Sequence, residues 1–253
     1  MYKRVIIKVG TNVLTRPDGR LDVTNISHLV DQIAGLKARG ISLVLISSGA
    51  VGAGRELLTV DDSFGDVARR QVLSAIGQVR LMELYRQLFA GHDLLCAQVL
   101  ATKGDFRAGL HYDNLHNCFR ALLQDQIVPV VNENDVIAVT ELMFTDNDEL
   151  AGQVAKMLAV DALVILSSVD GLYDGPPGES GSHLIREVAA GDQSVLGFVQ
   201  EKKTSFGRGG MATKLRIAAQ TAKAGIPVLL GNGRRRNILT GLGRDQWPGT
   251  IVK

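Results

Sequence analysis

The chain has 253 residues, of which 45% are hydrophobic and 21% charged, a composition typical of a folded globular protein of one or two domains. Its longest apolar runs, such as 41–46 and 163–166, are far shorter than the roughly 18 residues that a membrane span needs, so no membrane partner is expected. Two cysteines are too few for a disulfide framework or a structural zinc site, which favours a reduced, cytoplasmic location.

Charge is nearly balanced overall, at +2, but it is unevenly distributed along the chain. From Glu201 onward there are 11 basic and 2 acidic residues, a local charge of +9, whereas the first 200 residues hold 17 basic and 24 acidic ones, a charge of −7. A basic C-terminal part predicts an anionic ligand. Nucleic acid and the phosphates of a nucleotide both qualify, and charge alone does not choose between them. Only Phe206 and Trp247 supply aromatic rings there, which argues against nucleic acid, and no nucleic-acid partner is expected.

The hydrophobic pattern alternates between short apolar strands and amphipathic helices. Strands are predicted at 5–9, 42–46, 94–100, 127–131, 162–166, 227–230 and 250–252. Helices are predicted at 21–40, 66–89 (as one or two helices), 110–124, 147–159 and 212–224. Continuous apolar strands separated by helices predict an α/β fold, a three-layer αβα sandwich with a mainly parallel central sheet. The segment 175–182, with two prolines among small residues, predicts a surface loop inside a single domain.

Several of the predicted strands end in glycine, hydroxyl or acidic residues, which is where open α/β sheets bind ligands. Lys8 lies in an otherwise apolar strand that ends at Gly10, and a buried lysine needs an anion beside it. At the edge of a sheet the same lysine would reach solvent, and both interpretations remain open. Ser48 and Gly49 follow the second strand, where they could form an anion-binding helix start or a tight packing turn.

The segment 207–214 is rich in glycine and ends at Lys214. It could hold a phosphate, although it is not a Walker A motif because no glycine directly precedes the lysine. Two clusters of acids and amides, at 132–135 and 145–148, are more unusual. Asp148 or Thr145 could act as a helix cap. The clusters hold more polar side chains than capping requires, and carboxylates with amides can bind both ends of an amino acid.

Six motifs of this chain occur in the order seen in the amino acid kinase family. They lie at 8–11, 48–50, 132–135, 146–148, 170–173 and 209–214. The chain resembles this family from residue 5 to residue 250, and it is most similar to the members that phosphorylate glutamate. The resemblance implies an enzyme that transfers a phosphoryl group from ATP to the side-chain carboxylate of L-glutamate. The product would be L-glutamyl 5-phosphate, and the reaction would be the first step of proline biosynthesis.

The resemblance also implies a role for particular residues. Lys8 and Lys214 match the two catalytic lysines that flank the transferred phosphoryl group, and Asp148 matches the acid that positions them. The positions that bind glutamate are matched by Ser48, Gly49, Asp135 and Asn147. The positions that bind ATP are matched by Lys8, Gly10, Ser167, Ser168, Arg208, Gly209, Gly210, Met211, Ala212, Thr213 and Lys214. Gly10 and Gly49 would offer backbone amides to the phosphate.

These roles suit phosphoryl transfer, which needs in-line positioning and charge compensation but little covalent work by the protein. The carboxylate of glutamate is already deprotonated at neutral pH, so no general base is needed. Asp148 between two lysines should stay ionised, because opposite charges favour its charged form. Mg²⁺ should bind together with ATP, largely through water, and its protein ligands are left open.

The chain departs from the family pattern at three points. Arg208 stands where a small residue such as threonine is usual, and Ser167-Ser168 replaces Thr-Asp. No PUA domain is expected, and residues 1–253 are expected to form one amino acid kinase domain, with the part from about 160 mainly binding ATP and the part before it mainly binding glutamate. The resemblance further implies a homo-oligomer, proline as a feedback inhibitor and hand-off of the product to glutamyl phosphate reductase.

Two alternatives remain at this point. Other members of the family act on acetylglutamate, aspartate, carbamate or uridylate, although the acid-and-amide clusters favour glutamate because a free amino group needs acceptors. The second alternative is a non-catalytic RNA-binding or regulatory protein. Steeply salt-dependent RNA binding without ATP turnover would support it.

Overall fold

The structure is a computed structural model that describes residues 2–61, 65–138, 143–144, 146–192, 194–198, 210–243 and 247–253. The strands are β1 Arg4–Val9, β2 Ser42–Ser47, β3 Cys96–Ala101, β4 Val128–Glu133, β5 Ala162–Ser167, β6 Leu172–Tyr173, β7 Leu184–Ile185, β8 Glu187–Val188, β9 Val228–Asn232 and β10 Thr250–Val252. The α-helices are α1 Thr11–Leu14, α2 Val23–Ala38, α3 Ala50–Leu57, α4 Asp66–Ala90, α5 Leu110–Gln124, α6 Asn147–Met157 and α7 Met211–Ala222. Short 3-10 helices lie at Lys103–Phe106, Ser194–Phe198 and Ile238–Gly241. Among these helices, none combines the length and apolar character needed to cross a membrane.

Eight of the strands form one central sheet in the order β3-β4-β2-β1-β5-β9-β10-β8. All neighbouring strands in it run parallel except β9 and β10, which are antiparallel. The strands β6 and β7 form a separate antiparallel hairpin. The predicted α/β fold with a mainly parallel sheet is therefore confirmed.

Two hydrophobic cores cover the two faces of this sheet, one with α2, α3 and α4 and the other with α5, α6 and α7. Side chains of a strand alternate between the faces. Val5, Ile7 and Val9 of β1 pack into the first core, and Ile6 packs into the second. Lys8 therefore belongs to the face that α6 and α7 cover. Because β1 lies inside the sheet and Lys8 is buried, the sheet-edge interpretation of this lysine is wrong.

The helices α3 and α4 approach each other unusually closely. A Cβ atom on Gly77 would lie 1.8 Å from the carbonyl oxygen of Ala50, and one on Gly54 would lie 2.0 Å from that of Leu73. Only glycine permits this contact, which fixes the start of α3 beside the end of β2. The helix α4 is one continuous helix of 25 residues. Sequence periodicity did not predict the short elements α1, α3 and β6 to β8.

Candidate functional site

The carboxyl ends of the central strands open into a cavity of about 790 Å³. Lys8 of β1, Ser48 after β2, Glu133 of β4 and Ser167 of β5 all line this cavity. Carboxyl ends of parallel strands meet at one edge of a sheet, so residues far apart in the chain converge there. The cavity has a central group of charges, a side lined by acids and amides, and a side lined by serines and glycines.

The central group joins Lys8, Asp148 and Lys214. The Nζ atom of Lys8 lies 2.6 Å from Oδ1 of Asp148, and Nζ of Lys214 lies 2.8 Å from Oδ2. The side chains of Lys8, Asp148 and Lys214 are 4%, 0% and 12% exposed. Asp148 and Lys214 stand in the first turns of α6 and α7, the helices that cover the face of the sheet from which Lys8 points.

Burial and charge set the protonation of this central group. Burial would raise the pKa of Asp148, but the two lysines outweigh it and hold that pKa at about 2. Burial lowers the pKa of Lys8, and the nearby Lys214 adds to this, while Asp148 opposes both. Burial would also lower the pKa of Lys214, but Asp148 outweighs it and the pKa is raised. Asp148 is thus a permanent anion, on which the charges of both lysines depend.

Asp146 completes this region, although no role was assigned to it from the sequence. Its Oδ1 atom accepts hydrogen bonds from the amides of Asp148 (2.9 Å) and Glu149 (3.1 Å), so Asp146 is the N-cap of α6. The suggested cap at Asp148 is wrong, and Thr145 lies outside the described residues. Within the part of the chain described, Oδ2 of Asp146 is buried without a hydrogen-bond partner. Burial and the charge of Asp148 raise the pKa of Asp146.

The oxygen donors beside Lys8 bear on whether the cavity can hold a divalent cation. No cluster of three or more His, Cys, Asp or Glu that could hold a metal ion occurs in the described ranges. A buried carboxylate oxygen is available at Asp146, which lines the cavity beside Lys8. Mg²⁺ is commonly held by one or two carboxylates together with nucleotide phosphates and water. These residues therefore fit a magnesium ion that arrives with a nucleotide.

A chain of amides lines the neighbouring side of the cavity. Nδ2 of Asn147 donates to Oγ of Ser48 and to Oδ1 of Asn132, both at 2.9 Å. Nδ2 of Asn132 in turn donates to Oε1 of the buried Gln78 at 3.0 Å. Gly49 begins α3 with a φ of 105°, a left-handed conformation that favours glycine. Ser48, Gly49 and Asn147 are thereby brought together, and Asn132 joins them.

Asp135 lies at the same side of the cavity and is held through both carboxylate oxygens. Its Oδ1 atom accepts from Nε (2.9 Å) and Nη2 (2.5 Å) of Arg70, and its Oδ2 accepts from Oγ of Ser74 at 2.7 Å. Arg70 and Ser74 both stand on α4. No sequence motif marked either residue, because each lies inside an ordinary amphipathic helix pattern.

Glu133 is a second buried acid beside Arg70. Its Oε2 atom lies 3.6 Å from Nη2 of Arg70, and its Oε1 accepts from the amide of Phe144 at 2.7 Å. Burial raises the pKa of Glu133 to about 7, with Asp135 adding to the rise and Phe144 and Arg70 opposing it. This carboxyl group therefore titrates close to neutral pH.

The chain is similar to known proteins over most of its length. The model of the amino acid kinase family matches residues 3–232. A glutamate 5-kinase of Bacteroides thetaiotaomicron is 48% identical over 95% of this chain and 67% of its own length. A glutamate 5-kinase of Chlorobaculum tepidum is 46% identical over 99% of this chain and 69% of its own length.

This chain belongs to the amino acid kinase family, among the glutamate 5-kinases. The T. acidophilum isopentenyl phosphate kinase in a product complex shares the fold of this family member, with a TM-score of 0.70. It covers 99% of this chain and 100% of its own, at 16% identity. At that identity the likeness concerns the fold alone.

The other side of the cavity holds part of the segment that family resemblance assigns to ATP. Ser167, Ser168, Gly210, Met211 and Lys214 line it. Ala212 and Thr213 lie on α7 but are not among the described residues that line the cavity. Arg208 and Gly209 lie outside the described residues.

The amide of Gly10, to which the resemblance assigns a phosphate contact, makes a hydrogen bond within the sheet. Its amide donates to the carbonyl oxygen of Leu166 at 3.1 Å, as part of the contact between β1 and β5. The donation from this amide to a phosphate stays a prediction, and it would have to share the N–H group with the carbonyl oxygen of Leu166. A Cβ atom on Gly10 would lie 3.6 Å from Nζ of Lys8, so the missing side chain keeps the space beside that ammonium open.

The loop after β6 also contributes to the cavity. Tyr173, the last residue of β6, lines it together with Gly175, Pro176, Pro177 and Glu179 of the loop. The loop at 175–182 was predicted from its prolines and small residues, but only the 170–173 motif before it hinted at a part in the site.

Proposed function

We propose that this chain transfers the γ-phosphoryl group of ATP to the side-chain carboxylate of L-glutamate, giving L-glutamyl 5-phosphate and ADP, as the first step of proline biosynthesis. The observation that carries the proposal is the pairing of one buried aspartate with two lysines, next to an acid-and-amide cluster suited to an amino acid. Two of its relatives, at 48% and 46% identity, are named glutamate 5-kinases.

Lys8 and Lys214 are the proposed catalytic residues. A carboxylate oxygen of glutamate attacks the γ-phosphorus while the bond to the β–γ bridging oxygen breaks, and that oxygen leaves with ADP. Negative charge on the transferring oxygens and the leaving oxygen is then compensated by the two ammonium groups. Lysines suit this task because each is a compact point charge.

Asp148 is proposed to keep the two lysines apart and charged. Two ammonium groups in one buried site repel each other, and burial disfavours the charge of each. An anion that contacts both, with its pKa held at about 2, removes this penalty. At such a pKa, Asp148 takes no proton during the reaction.

Glutamate is proposed to bind through Ser48, Gly49, Asp135 and Asn147. Its ammonium group needs an acceptor with negative charge, which Asp135 supplies. The hydroxyl of Ser48 and the amide of Asn147 are already joined by a hydrogen bond of 2.9 Å, so their positions are set before the substrate arrives. The amide of Gly49, at the N-terminus of α3, adds a donor for a carboxylate or phosphate oxygen.

The ATP is proposed to bind through Ser167, Ser168 and the glycine-rich segment that leads into α7, so that the part of the chain from about residue 160 serves the nucleotide. Asp146 would hold Mg²⁺, through its buried Oδ2 atom. When bound, the ion supplies further charge neutralisation to the nucleotide phosphates.

Regulation, assembly and location extend the proposal. Proline carries an ammonium and a carboxylate on one carbon, as glutamate does, and as a feedback inhibitor it would compete at Asp135. The side chains of Leu57 and Val79, exposed and apolar on α3 and α4, suit a contact between copies in a homo-oligomer. We also propose a cytoplasmic location and hand-off of the labile product to glutamyl phosphate reductase.

The test is ADP release from the chain with ATP and Mg²⁺, with and without L-glutamate, in the presence of hydroxylamine. We expect glutamate-dependent ADP and an equal amount of γ-glutamyl hydroxamate, because hydroxylamine traps an acyl phosphate. If aspartate or acetylglutamate supports the same turnover, the substrate assignment is wrong. If no substrate supports turnover, the proposed function itself is wrong.

A further inference from the structure

We infer that Arg70 binds the α-carboxylate of the substrate and thereby determines specificity for a free α-amino acid. The inference rests on the proposed function and extends it to a residue for which neither the motifs nor the family resemblance supplied a role. It follows from the charges of the substrate, the position of Arg70 beside Asp135, and the unused donors of its guanidinium group.

Each charged group of L-glutamate needs a partner of opposite charge in the cavity. Its side-chain carboxylate must reach Lys8 and Lys214, where the phosphoryl group is transferred. Its ammonium group needs an acid and its α-carboxylate needs a separate cation, because a buried charge must be compensated. Apart from the two lysines, the cations among the described residues that line the cavity are Arg55 and Arg70.

Arg70 lies next to the acid proposed to bind the ammonium group. The ammonium and the α-carboxylate of an amino acid stand on one carbon atom, so their partners in the protein must be neighbours. Arg70 contacts Asp135 directly, at 2.5 Å and 2.9 Å, and Asp135 is the acid proposed to bind the ammonium group. Arg55 stands in the last turn of α3, is exposed, and has no such contact among the described residues.

The guanidinium group of Arg70 has more donors than its contacts with Asp135 use. A guanidinium group carries five N–H donors in a planar fork that matches a carboxylate. Nε and Nη2 contact Asp135. Nη1 has no hydrogen-bond partner in the described part of the chain. The side chain is 35% exposed and lines the cavity, whereas the carboxylate of Asp135 is 6% exposed. Arg70 can therefore hold Asp135 with one edge and offer Nη1 to a ligand.

The carboxylate of Asp135 is held in a fixed orientation. Ser74, one turn further along α4, donates to the other oxygen of Asp135 at 2.7 Å. Asp135 is thus held from one helix by two side chains, which fixes the plane of its carboxylate. The donor for the α-carboxylate and the acceptor for the ammonium group are then set at a constant separation before the substrate binds.

The test compares two substrates in the variant Arg70→Gln. L-Isoglutamine keeps the ammonium group and the side-chain carboxylate of glutamate but replaces the α-carboxylate with an uncharged amide. We expect Arg70→Gln to raise KM for L-glutamate by about 10- to 100-fold, because the substrate loses a hydrogen bond to a charged group. We expect the KM for isoglutamine, or its Ki as an inhibitor where turnover is too slow, to change less than about 3-fold, with kcat little altered.

The matched control is Arg80→Gln. Arg80 lies on the same helix at 36% exposure, against 35% for Arg70, but it contacts Glu83 and lies away from the cavity. We expect wild-type constants from this variant. Arg70→Lys keeps the positive charge without the fork and should give an intermediate KM for glutamate, which also covers the case in which Arg70→Gln fails to fold.

The outcomes separate a substrate contact from a positioning role. Equal increases for glutamate and isoglutamine in Arg70→Gln would mean that Arg70 only holds Asp135, and the inference would be overturned. Ser74→Ala is the reference for a positioning defect. It should raise KM for glutamate and the KM or Ki for isoglutamine by the same small factor. If wild-type protein shows no glutamate-dependent turnover, it is the proposed function that has failed, whatever Arg70 does.

Discussion

The two ends of the cavity, to which we assign the transferred phosphoryl group and the amino-acid part of glutamate, differ in their electrostatics. At the phosphoryl end, Asp148 is wholly buried between Lys8 and Lys214, and its pKa is held at about 2. At the amino-acid end, Arg70 lies between two acids and is about one-third exposed, and the pKa of Glu133 is raised to about 7. The first charge arrangement is constant across physiological pH, while the second changes within it.

This difference suits the task proposed for each end. Charge compensation in phosphoryl transfer is most effective when the charges are fixed in advance and shielded from water. Binding and release of an amino acid instead require protein groups on which water can be replaced by the ammonium and carboxylate groups of the substrate and can then return. A part of the site that exchanges ligands is better served by a partly exposed arginine and an acid whose pKa is about 7 than by a buried ion pair.

The largest effect is expected for Asp148→Asn. The amide cannot balance two ammonium groups, so Lys8 loses the anion that supports its charge in a buried site. We expect kcat to fall by about 1,000-fold while KM for glutamate changes less than about 5-fold, because the loss concerns the transition state. Steady-state kinetics with saturating ATP measures both constants.

The control for that variant is Asp161→Asn at the opposite end of β1. Asp161 accepts hydrogen bonds from the amides of Lys3 and Arg4, at 2.5 Å and 2.7 Å, and does not belong to the described lining of the cavity. Wild-type kcat is expected. An increase in KM for glutamate in Asp148→Asn without loss of kcat would contradict the proposed difference between the two ends.

A smaller loss is expected for Lys214→Ala. This change removes one of two positive charges, and Lys8 with Asp148 remains, so kcat should fall by about 100-fold. KM for ATP should rise less than about 10-fold, as measured by initial rates at varied ATP. Lys223→Ala, at the exposed end of the same helix, is the control. Intact turnover with only weaker ATP binding would reduce Lys214 to a binding residue.

The smallest effect concerns stability and Glu133. Its pKa in the folded protein is about 7 against an ordinary value of 4.5, so the stability that its neutral form contributes is full below about pH 4.5 and is lost as pH rises through 7. Glu133→Gln stays neutral and should exceed the wild type in free energy of unfolding at pH 8 by about 1–3 kcal/mol. The contact of the carboxyl with the open cavity reduces the size of this effect.

Urea unfolding at pH 5.5 and pH 8 checks this prediction. The difference between Glu133→Gln and the wild type should be larger at pH 8 than at pH 5.5. Glu83→Gln, which replaces a half-exposed glutamate on α4, should leave the pH dependence unchanged. The same pH dependence in Glu133→Gln and the wild type would show that Glu133 does not titrate near neutrality.

Much of the fold could be predicted from local pattern. Long periodic segments such as α5 were predicted with the observed bounds Leu110–Gln124, and most strands of the sheet within two residues. The short elements α1 and α3 escaped because four and eight residues carry too little periodicity. The position of α3 depends on the close approach of Gly54 and Gly77, a contact between helices that no single segment encodes.

The site divides in the same way. The motif residues Lys8, Asp148 and Lys214 could be proposed from the sequence through the family resemblance, because the order of the six motifs is specific although each motif alone is not. Arg70 could not, since an arginine in an amphipathic helix is ordinarily a solvated side chain. The fate of the Gly10 amide was likewise hidden, because its partner, Leu166, comes from a different strand.

The sequence by itself determined the alternation of strands and helices, the residue types at the strand ends and hence the chemistry available, since these depend on side chains and local periodicity. Only the tertiary structure decided which charges meet. The alternation of β1 points Lys8 toward α6 and α7, and the order of strands brings β4 beside β2 so that Asp135 meets α4. Electrostatic pairing acts over a few ångströms in space, and separations of 66 and 140 residues along the chain, as between Asp148 and its two lysines, carry no record of it.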